Sequence, residues 1–409
     1  MDYMKIVIVG HVDHGKSTLI GRLFFDTGCL PEEKIEEVKK TCEALGREME
    51  FAFVMDHLEE ERTQGITIDT AQTFFKTDKR NYVIIDAPGH KEFIKNMVTG
   101  ASQAETAILI VDAEEGVREQ TKRHAYILGL LGLEQVIVVI NKMDLVDYRE
   151  EVFNNLKDDV ISFLMSINIK PSFVIPISAK KGDFVAKHSE RMKWYSGLTV
   201  LQGLDTFKTK PGLSDKPLRF AVQDIYKIDG KRITAGRVET GVIKQGDSIV
   251  VLPSGNETTV KSIEEFGKDA SEAIAGKSTG ITTTDPIFLD RGNIVCHKDS
   301  IPKTTKRFKA NVFWMSKDPL RKGEKITMKC ATQEVSCTIE EIERKFDSSS
   351  LENINEDLEK LNNTEVGEVV IVSDSTLVLE RFNDFQKLGR FVFERNDNAC
   401  AGGIITVVG

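Results

Sequence analysis

The chain has 409 residues, more than one ordinary hydrophobic core can organise, so we expect two or three domains. Its hydrophobic content of 40% and charged content of 29% are typical of a soluble globular protein, and its net charge of −9 gives no general electrostatic reason to expect a polyanionic partner. The longest apolar stretch, residues 127–140, is interrupted by Glu134 and Gln135, so no membrane span and no membrane partner are expected.

The six cysteines form no CxxC pair and show no spacing typical of zinc ligands. The chain starts directly with a strand-like segment, and no signal peptide is recognisable in it. We therefore expect a cytoplasmic protein with reduced, mostly buried thiols. These are Cys29, Cys42, Cys296, Cys330, Cys337 and Cys400.

The first half of the chain alternates short apolar runs with longer amphipathic segments, as buried parallel strands and their crossover helices do. The predicted strands are Lys5–Val9, Tyr82–Asp86, Ala107–Asp112, Val136–Asn141 and Phe173–Ser178. The predicted helices are Lys16–Thr27, His90–Thr99, Gln120–Leu131 and Arg149–Ser166. This alternation predicts an α/β domain with a mostly parallel sheet over residues 1–207.

The pattern changes at the end of that domain. The segment 205–220 carries two prolines and a glycine among polar residues, as a linker does. Short alternating runs follow, separated by turn signals such as Pro253-Ser254-Gly255-Asn256. They predict two all-β barrel domains, over residues 216–300 and 305–409.

The segment "GHVDHGKST" (10–18) fits the phosphate-binding pattern G-x-x-x-x-G-K-[ST] and stands between a predicted strand and a predicted helix. Gly10 and Gly15 let the backbone wrap so that its N–H groups point at phosphate oxygens. Lys16 supplies charge to the β- and γ-phosphates, and the Ser17 hydroxyl can ligate Mg²⁺. Alone, the pattern could arise by chance. The other predicted members of the loop site are His11, Val12, Asp13, His14 and Thr18.

The segment "DAPGH" (86–90) ends the second strand-like run. A carboxylate at the end of a buried strand is costly unless it faces a cation, and Asp86 is expected to reach Mg²⁺ through water. Gly89 would let a backbone N–H approach the γ-phosphate, and His90 could orient the attacking water. The alternative is a strand-ending aspartate in a Pro-Gly turn.

The segment "ERTQGITID" (61–69) lies between those two motifs. A threonine here can ligate Mg²⁺ through its hydroxyl, and we expect Thr67 to do so rather than Thr63 or Thr70. By itself the segment would be interpreted as the edge of a sheet.

The segment "NKMD" (141–144) is suited to recognise guanine. The Asp144 carboxylate can accept both the N1–H and the N2 amine, a donor pair that adenine lacks. Asn141 can bond guanine N7 and tie loops together, and the stem of Lys142 can lie against the ring. The segment "ISAKKG" (177–182) would complete the base site with Ser178, the Ala179 N–H directed at guanine O6, and Lys180 over the base.

Taken in their order along the chain, the five segments resemble the motifs of the translation-factor branch of P-loop GTPases. The resemblance covers the whole chain and implies an α/β P-loop GTPase domain followed by two β-barrels, with GTP and Mg²⁺ as ligands. By the same resemblance, His90 is the catalytic histidine, assisted by Lys16 and Thr67. Val12 and Ile66 match the hydrophobic gate beside it.

Within this branch, most of the distinctive segments resemble the GTPase subunit of the heterodimeric bacterial sulfate adenylyltransferase. These segments are 19–28, 61–75, 141–153, 192–205, 250–263, 312–324 and 377–384. The resemblance implies that GTP hydrolysis drives the formation of adenosine 5′-phosphosulfate from ATP and sulfate. The chain shows one nucleotide site and neither a PP-loop nor an H-x-G-H motif, so a separate catalytic PP-loop adenylyltransferase subunit is expected as its partner.

The alternative is an elongation factor that delivers aminoacyl-tRNA to the ribosome. Ala87 and the segments 51–56, 236–247 and 388–397 are closer to that family. It would require a basic, aromatic-bearing RNA surface on the barrels. The basic residues of 216–220 and 303–309 could contribute, but we interpret them as solvated linker charge, and no nucleic-acid partner is expected unless this alternative holds.

Overall fold

The computed structural model divides the chain into two compact units, Met1–Thr209 and Lys210–Gly409. The residues that it describes are 3–30, 32–44, 51, 72–85, 104–208, 213–228, 230–265, 268–354 and 357–409.

The first unit is built on a six-stranded sheet. Its strands are β1 (Tyr3–Gly10), β2 (Gln72–Lys76), β3 (Asn81–Ile85), β4 (Thr106–Asp112), β5 (Gln135–Asn141) and β6 (Phe173–Pro176). Their order is β2-β3-β1-β4-β5-β6, and every neighbouring pair is parallel except β2 with β3. All seven residues of β4 are buried, as expected for a parallel strand that is covered on both faces. The predicted mostly parallel sheet is confirmed.

The helices of this unit are α1 (Lys16–Asp26), α2 (Glu32–Ala44), α3 (Glu119–Leu130), α4 (Glu150–Ser166) and α5 (Val200–Thr206). Three of them begin and end within one residue of the predicted helices. The helix predicted at 90–99 lies outside the described residues. Helix α2 was not predicted, because its sequence, EEKIEEVKKTCEA, has too few apolar residues to give a clear helical stripe.

The second unit begins with a ring of β-strands. These are β7 (Arg219–Ile228), β8 (Lys231–Thr240), β9 (Val242–Lys244), β10 (Ser248–Leu252), β11 (Asn256–Glu265), β12 (Lys268–Ala270), β13 (Glu272–Ile274), β14 (Ser278–Thr283) and β15 (Ile294–His297). The order β10-β15-β7-β8-β14-β11 is closed by a further pairing of β10 with β11, which makes a barrel. Strands β9 and β13 form a separate two-stranded sheet.

A second barrel completes this unit. Its strands are β16 (Lys303–Trp314), β17 (Leu320–Arg321), β18 (Lys325–Cys330), β19 (Gln333–Asp347), β20 (Lys360–Leu361), β21 (Glu365–Leu379), β22 (Arg390–Arg395) and β23 (Asn398–Val408). The closed order is β16-β21-β19-β18-β22-β23, and β17 pairs with β20 outside it. The fold is therefore a GTPase-type α/β domain followed by two β-barrels. We propose 1–207, 216–300 and 305–409 as the boundaries of the three domains.

The two barrels meet across a small apolar cluster with a buried ion pair beside it. The cluster joins residues of β7, β10 and β15 to Val378 and Leu388. The Arg219 guanidinium makes two bonds to the Glu380 carboxylate, of 2.8 and 3.0 Å, and its Nη1 donates to the carbonyls of Leu218 and Ser300. The two side chains are only 5% and 13% exposed. This ion pair stabilises the contact between the two barrels, because removal of either side chain would leave the other charge buried without a partner.

All six cysteines are free thiols, and five of them are buried, as the sequence predicted. Burial raises the pKa of Cys330 and of Cys337 to about 12, so both thiols stay protonated and unreactive at neutral pH. Across the described ranges, no helix is long and apolar enough to cross a membrane.

We expect Arg219→Ala to lower the free energy of unfolding by about 3–5 kcal/mol, since Glu380 would keep a buried, unpaired charge. Urea denaturation of the variant and the parent protein measures this loss. The control is Arg344→Ala, which removes an equally bidentate bond to Glu368 from an exposed arginine, and should cost far less. Equal losses for the two variants would contradict a special role of the buried pair.

Candidate nucleotide-binding site

The loop 10–18 connects β1 to α1, and its glycines are required for close packing. Gly15 begins α1 with φ 94°, in the left-handed region that favours glycine. A Cβ at Gly15 would lie 2.4 Å from Asn141 Nδ2, and a Cβ at Gly10 would lie 2.3 Å from the Ile110 side chain. No larger residue fits at either position without displacing the neighbouring strands.

Lys16 holds this loop in its curved form. Its Nζ donates to the carbonyls of Gly10, at 3.0 Å, and of His11, at 2.7 Å. The N–H groups in the first turn of a helix have no partner within the helix, and the helix dipole adds positive potential there. The loop and the start of α1 therefore form an anion site that fits a phosphate chain. Ser17 lies in this first turn with an exposed side chain.

The remaining loop residues divide by burial. Val12 and Asp13 are exposed, and Asp13 has a left-handed backbone with φ 62°. His14 is fully buried, with Nδ1 3.4 Å from the Ile110 carbonyl and Nε2 3.6 Å from the Glu115 carboxylate. Desolvation lowers the pKa of His14, so its imidazole is neutral at neutral pH. The structure thus packs the His14 ring into the domain and leaves its backbone in the loop.

Asn141 joins three loops at the end of β5. Its Nδ2 donates to the His14 carbonyl at 2.9 Å, and its Oδ1 accepts the Ala179 N–H at 2.9 Å. The predicted tie between the loops is present. The Ala179 N–H, which we expected to face guanine O6, is here bonded to Asn141. The phosphate loop and the base-side loops are thereby fixed to one side chain.

Asp144 is oriented by Ser178. It lies in the short 3₁₀ helix Met143–Val146, and its Oδ1 accepts the Ser178 Oγ–H at 2.6 Å. Ser178 is buried, whereas Lys180 is exposed. One oxygen of the Asp144 carboxylate is thus anchored by a neighbouring loop. The bidentate pairing of this carboxylate with guanine stays a prediction.

Four of the predicted site residues lie outside the described part of the chain, as does Ile66 of the predicted gate. These four are Thr67, Asp86, Gly89 and His90. Their roles stay predictions. The described site residues come together from the ends of β1, β5 and β6. Strands β5 and β6 are neighbours in the sheet, and β4 lies between β1 and β5.

Asp112 belongs to this site although the sequence analysis did not assign it. It ends β4, is buried, and lies 2.6 Å from Lys142 Nζ. Desolvation raises the pKa of its carboxyl, but the hydrogen bonds from Lys142 and from two backbone N–H groups outweigh this, so the pKa lies below its ordinary value. The ionised Asp112 holds Lys142, whose φ of 64° is left-handed. The rule applied to Asp86, that a buried strand-end carboxylate seeks a cation, would have identified Asp112 as well.

The fold and these loops define a guanine-nucleotide-binding P-loop domain joined to two β-barrels. Residues 1–212 match the family model "Elongation factor Tu GTP binding domain", residues 231–295 match "Elongation factor Tu domain 2", and residues 307–406 match "GTP-eEF1A C-terminal domain-like". The chain belongs to this family of translation-factor GTPases, and it binds and hydrolyses GTP as a member of it.

Its relatives in this family match over the full length. Elongation factor 1-alpha of Thermoplasma acidophilum is 40% identical over 98% of this chain and 97% of its own. The proteins of the same name from Methanothermobacter thermautotrophicus and Archaeoglobus fulgidus are 39% and 38% identical, over 98% and 99% of this chain and 97% of their own. A crystal structure of sup35 with GDP, at 23% identity and a TM-score of 0.45, covers 99% of this chain and 94% of its own and is too distant to bear on function.

The expectation of a sulfate adenylyltransferase subunit is wrong, because these full-length relatives are elongation factors 1-alpha. The expected partner, a catalytic PP-loop adenylyltransferase subunit, is withdrawn with it. One of the segments that pointed to that enzyme, 312–324, packs the second barrel. In 312–324, Trp314 is fully buried, donates to the Asp318 carbonyl, and lies under the Arg395 guanidinium at 4.7 Å. These contacts of Trp314 stabilise the barrel and do not indicate which reaction the protein catalyses.

We expect Asp144→Asn to lower the affinity for GDP by roughly 100-fold and to raise the affinity for xanthosine diphosphate. The amide offers a donor where guanine also has donors, whereas xanthine has a carbonyl at position 2. Dissociation constants for the two nucleotides measure the change. An unchanged preference for guanine would remove the base-reading role from Asp144.

Proposed function

We propose that this protein delivers aminoacyl-tRNA to the ribosome in its GTP-bound state. The full-length likeness to elongation factor 1-alpha supports this function. The structural observation that carries it is an exposed surface of mixed aromatic and basic character on the first barrel, at the tip of the β7–β8 hairpin.

This surface, which we call the hairpin surface, consists of Lys227 and Arg232, which pair across the β7–β8 hairpin, and of Phe288, which contacts Arg232 from the loop between β14 and β15. Lys227 and Arg232 are exposed, and Phe288 is 76% exposed. The Arg232 guanidinium lies 5.1 Å from the centre of the Phe288 ring. An apolar ring kept in water beside a guanidinium is typical of surfaces on which unpaired bases stack. The single-stranded end of a tRNA offers such bases.

The basic segments that we considered earlier are not linkers. Residues 303–309 form the start of β16, where Arg307 and Lys309 pair with Glu340 and Glu343. Charges compensated in this way attract phosphates weakly. In 216–220, Lys216 lies over the Phe385 ring, and Arg219 makes the buried ion pair between the barrels. We therefore assign the RNA contact to the hairpin surface.

GTP hydrolysis in this proposal depends on positioning and electrostatics. Lys16 and the start of α1 hold the β- and γ-phosphates, and His90 orients the attacking water. Ser17, whose exposed hydroxyl suits a hard cation, would ligate Mg²⁺ together with Thr67, with Asp86 acting through water. The ion would supply neutralising charge at the phosphates. We place the protein in the cytoplasm, where its six free thiols stay reduced.

We expect Phe288→Ala to weaken the binding of aminoacyl-tRNA to the GTP-bound protein by roughly 10-fold, because stacking of one base is worth about 1–3 kcal/mol. Protection of the aminoacyl ester from hydrolysis measures this affinity. The matched control is Ile274→Ala, which removes another partly exposed apolar side chain from the separate β9–β13 sheet and should leave binding unchanged. If the parent protein gives no protection, the proposed function fails. If Phe288→Ala protects as well as the parent, only the assigned surface fails.

We expect His90→Ala to lower stimulated GTP hydrolysis by on the order of 100-fold or more, the usual scale for a residue that positions a proton acceptor or water, while GTP affinity changes little. Single-turnover hydrolysis and a separate GTP dissociation constant distinguish the two effects. Weaker GTP binding with hydrolysis intact would speak against this role.

A further inference from the structure

The two loops beside the base are joined at a second point, behind the contact between Ser178 and Asp144. Tyr148 follows the short helix that carries Asp144, and its hydroxyl donates to Asp183 Oδ2 at 3.0 Å. Asp183 closes the loop that begins at Ser178. This contact bridges 35 residues of sequence and lies outside every residue assigned so far to guanine.

The backbone at Tyr148 is held in an unfavourable conformation. Asp147 and Tyr148 have φ angles of 53° and 54°, both in the left-handed region that residues with a Cβ rarely adopt. The Tyr148 N–H donates to the Met143 carbonyl at 2.8 Å, and Trp194 Nε1 donates to the Tyr148 carbonyl at 2.9 Å. Two consecutive residues of this kind persist only where surrounding contacts fix them, and they adjoin the helix that carries Asp144.

The Asp183 carboxylate is the anchor on the other side. It is buried and accepts hydrogen bonds from Ser189 Oγ at 2.6 Å and from Arg191 Nη1 at 3.1 and 3.2 Å, in addition to the bond from Tyr148. Its backbone pairs with that of Ser178 in both directions, at 3.1 and 3.2 Å. A displacement of Asp183 would therefore displace Ser178, which orients Asp144.

We propose that Tyr148 and Asp183 are positioning residues that set the selectivity of this site for the 2-amino group of guanine. The Tyr148–Asp183 bond fixes the distance between the helix that carries Asp144 and the loop that carries Ser178. A bidentate pair with guanine needs both carboxylate oxygens in place, so selectivity depends on that distance more strongly than general affinity does. This inference rests on the proposed role of Asp144 as the base-reading residue.

The Tyr148 hydroxyl keeps its proton and therefore remains a hydrogen-bond donor to Asp183. Burial, together with the charge and hydrogen bond of Asp183, raises the pKa of Tyr148 to about 12, so the hydroxyl stays protonated throughout the physiological range. Tyr148→Phe removes that hydroxyl and keeps the ring, over which the Arg191 guanidinium lies at 5.8 Å. The substitution therefore tests the bond and leaves the packing in place.

The test compares GDP with inosine diphosphate, which lacks the 2-amino group, on the full-length protein. For Tyr148→Phe we expect the ratio of the two dissociation constants to shrink roughly tenfold, because the affinity for GDP falls while that for inosine diphosphate changes little. A ratio equal to that of the parent overturns the proposal. Equal weakening for both nucleotides also overturns it, since that is the result of a merely structural role.

Tyr195→Phe is the matched control. Tyr195 packs against the same hydrophobic core as Tyr148, and burial raises its pKa to about 12. Its hydroxyl faces two backbone carbonyls at 3.4 Å. We expect the nucleotide ratio to stay at the parent value in this variant, and a ratio that shrinks as in Tyr148→Phe would contradict a specific role of Tyr148.

Ser189→Ala provides a second variant, because it removes one donor to Asp183 at a residue outside both base-side loops. It also removes the acceptor of the Arg191 N–H and so weakens the position of a further donor to Asp183. We expect Ser189→Ala to shrink the ratio by a smaller factor than Tyr148→Phe, and no change would count against Asp183 as an anchor.

The variant Asp144→Asn distinguishes a failure of the base-reading assignment from a failure of the positioning role. If it leaves guanine preferred, the base-reading assignment itself fails. If it favours xanthine while Tyr148→Phe keeps the parent ratio, only the positioning role fails.

Discussion

The nucleotide site depends on one buried amide, the side chain of Asn141. Its two ends bond the His14 carbonyl of the phosphate loop and the Ala179 N–H of the last base-side loop. The residue is 2% exposed, so either polar group would cost about 1–3 kcal/mol if it were left without a partner. Gly15 leaves the space that the amide occupies. The same side chain therefore positions the loop at the phosphate end of the site and the loop at the base end. A displacement of one loop would displace the other.

Two further pairs of side chains stabilise this arrangement of loops. Asp112 holds Lys142 from the neighbouring strand, and Asp183 holds Tyr148 from the following loop. Each pair joins a carboxylate that is largely withdrawn from water to a donor on the segment that carries Asp144. Such pairs favour a single geometry, because a carboxylate without its donor would remain buried and uncompensated. Two residues with a left-handed backbone, Lys142 and Tyr148, each take part in one of these contacts.

The sequence predicts those parts of the molecule that carry a local signal. The phosphate loop has fixed spacing, the central strands are unbroken apolar runs, and "NKMD" follows one of them. The pairs Asp112–Lys142 and Tyr148–Asp183 have no such signal, because about thirty residues separate the partners and only the fold brings them together. Residues 303–309 were misinterpreted as linker charge for a related reason: in β16 their acidic partners come from β19, which follows later in the chain. The sulfate-enzyme interpretation relied in part on segments such as the one around Trp314, a residue that is fully buried in the second barrel.

The proposed function requires that the bound nucleotide controls the affinity of the protein for aminoacyl-tRNA. The most direct measurement is the dissociation constant of aminoacyl-tRNA from the unaltered protein, once with a non-hydrolysable GTP analogue and once with GDP. We expect tighter binding in the GTP state by roughly 5- to 150-fold, the usual range of coupling between two sites. Equal affinity in the two nucleotide states, or no binding in either, would contradict it.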